Sequence, residues 1–68
     1  MDEEAFNMNV RKFLKRVGVS SQRQIESAIR QALANGEIDP DAVCKVSMQL
    51  SIDCSEEPFV IEGEISLS

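Results

Sequence analysis

At Asp39-Pro40-Asp41 the spacing of apolar residues changes from every third or fourth position to every second. A helical segment therefore comes first and an extended segment second, joined by a turn whose Asp and Pro residues suit a reversal. Before the turn, Phe6, Val10, Phe13, Leu14 and Val17 fall at i, i+4, i+7, i+8 and i+11, one stripe of an amphipathic helix. Arg11, Lys12, Lys15 and Arg16 are expected on the opposite side, and Met8 on the polar face. Asp2, Glu3 and Glu4 stand where carboxylates complement the positive end of a helix dipole.

Gly18 is expected in the left-handed conformation that closes a helix, with Val19 packing back on the last turn. Ser21 and Gln24 have the spacing of a capping box. A second helix is expected from there, with the stripe Ile25, Ala28, Ile29, Ala32 and Leu33, ending at Asn35-Gly36. So short a link makes the two helices neighbours around one shared core.

After the turn, Cys44, Val46, Met48, Leu50 and Ile52 alternate with Lys45, Ser47, Gln49 and Ser51, the pattern of a half-buried strand. Asp53 to Pro58 is a polar loop, and Phe59, Ile61, Gly63, Ile65 and Leu67 form the answering strand. Facing inward sets predict the register Ile52 with Phe59, Leu50 with Ile61, Met48 with Gly63, Val46 with Ile65 and Cys44 with Leu67. Gly63 then leaves room for Met48 or marks a bulge. The expected fold class is α+β in the order ααββ, a two-helix hairpin packed on one face of an antiparallel β-hairpin.

With 68 residues the chain makes one small domain, which buries roughly 60% of the surface its unfolded form exposes. A core of that size supplies about 3–5 kcal/mol, so a disulfide, a metal or oligomerisation is often needed in support. Cys44 and Cys54 do not meet that need. At the ends of one strand they would lie roughly 33 Å apart, far beyond bonding reach. No apolar run has the length of a membrane span, and MDEEAFNM has acids where a secretion signal has bases. We expect a soluble cytoplasmic protein with no membrane role.

The formal charge of −5 is unevenly placed. Residues 1–34 carry six basic and four acidic side chains, residues 35–68 only Lys45 against eight acids. "RVGVSSQRQIE", Arg16 to Glu26, has the look of a DNA-binding helix-turn-helix. That motif sets a small residue four positions before its turn glycine and a buried aliphatic six after it, positions occupied here by Leu14 and Gln24. The aliphatic, Ile25, comes one residue late, which rotates the second helix by about 100°. A winged-helix variant would carry Glu56, Glu57, Glu62 and Glu64 on its wing, where phosphate is repelled. Nucleic acid is thus the disfavoured alternative. Its phosphate contacts would be Arg11, Lys12, Lys15, Arg16, Arg23 and Arg30.

Histidine is absent and the two cysteines lack paired spacing, so no zinc site is expected. Glu37, Asp39 and Asp41 alternate like the start of a calcium loop, but the required glycine and final glutamate fall on Ala42 and Met48. In "DCSEEP" the acids Asp53, Glu56 and Glu57 surround Cys54, and their charge disfavours a thiolate. With no base to activate a nucleophile and no glycine-rich phosphate loop, we expect no catalytic residue, no cofactor and no enzyme.

Ala5-Phe6-Asn7-Met8, "VRKFLKRVGV", "SQRQIE" and the terminal "EGEI" together resemble a family of short bacterial proteins classed as a domain of unknown function. The resemblance spans nearly the whole chain and implies no activity, ligand or site residue. Cys44 and Cys54 lie outside the segments that carry it. The functional expectation is therefore a non-catalytic interaction module with an unidentified protein partner. We also expect it to form a homodimer through a strand edge, the edge lined by Lys45, Ser47, Gln49 and Ser51, because a two-stranded sheet leaves both outer edges unpaired.

Overall fold

The computed structural model describes all residues from Met1 to Ser68, in two compact units, Met1–Glu37 and Ile38–Ser68. The first unit is one continuous α-helix, α1, over Glu3–Ala34. The second is an antiparallel hairpin of β1, Val43–Leu50, and β2, Phe59–Ser66.

Both ends of α1 are closed by side-chain and backbone chemistry. Asp2 is extended, and its carboxylate accepts the amide of Ala5 at 3.1 Å, satisfying one of the free donors of the first turn. Glu3 and Glu4 occupy that turn, where the dipole favours them. At the other end Gly36 takes φ 71°. The Glu37 amide donates to the Ala32 carbonyl at 2.9 Å and the Gly36 amide to that of Leu33 at 3.1 Å, the paired bonds of a Schellman closure.

The expected two-helix hairpin is not formed. Gly18 to Ser21 are helical, so Gly18 does not close a helix and Ser21 caps nothing. The physical reason lies in the spacing across that stretch. Phe6, Val10, Leu14, Val17, Ser21, Ile25, Ala28 and Ala32 follow one another at steps of 4, 4, 3, 4, 4, 3 and 4, an eleven-residue period close to that of a straight helix. The stripe therefore crosses Gly18 without a break. Against Ala, Gly18, Val19, Ser20 and Ser21 together cost roughly 2–3 kcal/mol in a helix. Breaking there would free two sets of terminal amides and carbonyls and require a second nucleation.

Gly18→Ala follows directly as a test. No atom lies within 4 Å of the position a Cβ would take at Gly18. The substitution should stabilise the helix by about 0.8–1 kcal/mol, read from thermal or denaturant melts. A left-handed Gly18 would instead make alanine destabilising.

In the hairpin the register is Val43 with Ser66, Cys44 with Ile65, Val46 with Gly63, Met48 with Ile61 and Leu50 with Phe59. This is two residues away from the expected pairing. The alternation survives, since a shift of two keeps every side chain on its face. Ile52 is drawn into the connection instead of the strand, because its carbonyl accepts the Ser55 amide at 3.0 Å to make a turn. Gly63 thus faces Val46 and not Met48, and the ladder runs past it without a bulge. A Cβ there would sit 3.9 Å from Cγ2 of Val46, an ordinary contact.

No side chain is fully buried. In α1 the half-buried positions are Val17, Ser21, Ile25, Glu26, Ile29, Ala32 and Leu33. In the second unit they are Ile38, Ala42, Cys44, Val46, Ile65 and Leu67. No helix is both long and apolar enough to cross a membrane.

Candidate functional site

The first half of α1 exposes a band of large apolar side chains. At 100° per residue, Phe6, Val10, Phe13, Leu14 and Val17 occupy about 100° of the circumference. Phe6 is 51% exposed, Val10 40%, Phe13 47% and Leu14 54%. Only Val17 is half-buried. Four neighbouring side chains of this size left open to water make a patch rather than a scatter of single residues.

Two charged residues belong to this band. Glu3 is in line with it, one turn before Phe6, by the same angular count. Arg16, expected on the far side, instead borders the band, its guanidinium 5.7 Å from the centroid of the Phe13 ring. That distance allows a cation–π attraction and draws the Arg16 stem along the ring.

The six basic residues considered for phosphate all lie on this single helix. Lys12, Arg16, Arg23 and Arg30 fall within about 40° of one another over some ~27 Å of axis, with Arg11 and Lys15 set further round. There is no turn among them and no second helix to act as a recognition helix. Nη2 of Arg30 is paired with Oε2 of Glu26 at 3.2 Å, an exposed i, i+4 pair of small energetic weight.

Elsewhere the candidate groups do not converge. Cys44 lies on β1, while Cys54 is in the connecting loop and not at the end of a strand; both are free thiols. Around Cys54, Asp53, Glu56 and Glu57 are exposed, and the Ser55 hydroxyl donates to the Glu57 carbonyl at 3.5 Å. Glu37 and Asp39 are engaged through their backbones at the end of α1 and in the following turn, where the Ala42 amide donates to the Asp39 carbonyl at 3.0 Å. No three Cys, Asp or Glu side chains come together around a point where a metal could sit. On the polar face of the hairpin Lys45 stands opposite Glu64 and Ser47 opposite Glu62, around a shallow open depression at Gly63.

Over its full length, residues 1–68, the chain matches the model of a family described as a family of unknown function, DUF6494. The chain belongs to DUF6494. None of the curated proteins and no solved structure matches it. The segments of this DUF6494 chain that carried the resemblance map onto the structure unevenly. Phe6, Val10, Phe13, Leu14 and Val17 of the exposed band fall within two of them, and "SQRQIE" continues the same helix. "EGEI" lies on β2.

The band was visible in the sequence as a stripe, but as half of a core shared between two helices. Because α1 runs on through Gly18 to Ala34, Ile25 and its neighbours continue along the same helix and do not fold back to cover the band.

Proposed function

We propose that this DUF6494 protein is a small non-catalytic interaction module that associates with itself. The observation that carries the proposal is the exposed apolar band on α1, with Phe6, Phe13 and Leu14 each about half open to water. The hairpin supports it independently, because a two-stranded sheet is marginal alone and each strand has an open edge. The edge of β1 is the better of the two for pairing, since the outward residues of β2 include Glu62 and Glu64, which would meet their own copies. Free cysteines suit a reducing cytoplasmic setting.

Sedimentation velocity of the full chain from micromolar to millimolar concentration tests the proposal. The expected result is a concentration-dependent shift from one copy to two. A single species of 7.6 kDa throughout, with a cooperative fold, would overturn it.

A nucleic-acid reading is favoured by one observation, the alignment of Lys12, Arg16, Arg23 and Arg30 along one side of a continuous helix. Against it stand the net charge of −5 and the pairing of Arg30 with Glu26. Passage over a phosphate-bearing polymer at 50 and 200 mM salt separates the two readings. The module should elute equally at both, whereas phosphate contacts by these four side chains would weaken retention by roughly 100-fold between those salts.

A further inference from the structure

We infer that two copies associate through the first halves of their α1 helices, laid antiparallel about a two-fold axis near Val10. The inference rests on the self-association proposed above and specifies its surface and direction.

Direction follows from charge order along the helix. Asp2, Glu3 and Glu4 lead, and Arg11, Lys12, Lys15 and Arg16 follow about two to three turns later. A parallel pair sets acids against acids and bases against bases. An antiparallel pair sets the acidic turn of each copy against the basic stretch of the other, at both ends of the contact. The helix dipoles also oppose.

The same alignment matches the apolar band to itself. With the axis between Asn9 and Val10, Phe6 of one copy meets Phe13 of the other, and Glu3 meets Arg16. Moved half a residue, to Val10 itself, Phe6 meets Leu14. Glu3 and Arg16 are the two charged residues that lie in or beside the band, so they reach across while the aromatic side chains pack between them. Val17 closes the far end, where burial in the single chain already begins. The contact covers about 21 Å of each helix, from Glu3 to Val17.

Charge reversal distinguishes this arrangement from every other dimer. Sedimentation velocity is run on the full chain as wild type, Glu3→Lys, Arg16→Glu and the double variant, with circular dichroism confirming helix content in each. Each single reversal puts like charges together at both ends of the antiparallel contact and should weaken association about tenfold. The double variant restores opposite charges and should return to within about threefold of wild type. In a parallel pair neither single change would matter, because each leaves like facing like. Single variants as strong as wild type, or a double variant no better than the weaker single, would overturn the inference.

Ser47→Pro separates failure of the surface from failure of self-association. The Leu67 amide donates to the Ala42 carbonyl at 3.1 Å, so along the alternating ladder the even-numbered amides of β1 face β2 and that of Ser47 faces the open edge. Association lost in Ser47→Pro yet indifferent to charge reversal would overturn the helix contact and leave the self-association standing. A wild-type chain that stays single at every concentration would overturn both.

Discussion

Gln22→Pro should remove about 3 kcal/mol or more of stability and a large part of the helical circular dichroism signal. Gln22 lies near the middle of α1, four residues after Gly18. Proline there deletes the amide that bonds the Gly18 carbonyl and drives its ring against that same oxygen. The experiment has unusual power because the expected two-helix fold gives the opposite result. With Ser21 as N-cap, Gln22 would be the first helical residue, the position where proline is most at home. A variant that melts like wild type would restore the turn at Gly18 and refute the single helix. Loss of both signal and stability would confirm that the chain runs straight through.

The contrast shows which features of this chain were locally determined. The ends of α1 were legible because their chemistry is local: Asp2 followed by two glutamates, and Asn35-Gly36, where Gly36 alone takes a positive φ of 71°. The strands were legible for the same reason, as strict alternation has no competing interpretation over eight residues. Gly18 and Ser21 misled because each is a good terminator in isolation. What overrides them is the sum over neighbouring turns, since a line of side chains that keeps the helical period through the half-buried Ser21 and an unbroken hydrogen-bond ladder outweigh the weak propensities of four residues. The hairpin register failed in a different way. Alternation fixes parity but leaves a shift of two nearly free, and the choice was made by the Ile52 carbonyl accepting the Ser55 amide in the loop.

The candidate surface was only partly legible, and for a related reason. Phe6, Val10, Phe13 and Leu14 were correctly placed on one face, yet two folded-back helices would have turned that face inward. A stripe in a sequence says which side chains want cover and not where the cover comes from. Once α1 is continuous, its own later turns point along the axis and cannot return to shield the first half. Arg16 stands at the edge of the band for a separate and purely local reason, because three residues along one helix bring it beside Phe13 wherever that helix ends. In the antiparallel pair proposed above its charge would face a partner's Glu3 and not a phosphate.

Val10→Asp is expected to weaken self-association by about a hundredfold or more while leaving the isolated chain nearly as helical as before. In the single chain Val10 is 40% exposed, and Val and Asp have similar intrinsic helix propensity, so the monomer loses little. In the antiparallel pair Val10 lies beside the two-fold axis, so one substitution alters the contact twice. Each copy loses the apolar area that association would remove from water. Each also gains a carboxylate that must shed water close to its symmetry mate. At one decade per 1.4 kcal/mol, about 2.8 kcal/mol shared between the two sites reaches a hundredfold. Lowering the pH through the carboxylate range should then narrow the deficit relative to wild type measured at the same pH, since the introduced carboxyl, once protonated, carries no charge to repel its mate. The check is sedimentation at neutral and mildly acidic pH beside a wild-type control, with helix content followed in parallel. Association unchanged in Val10→Asp would exclude this face as the contact, however the helices were directed.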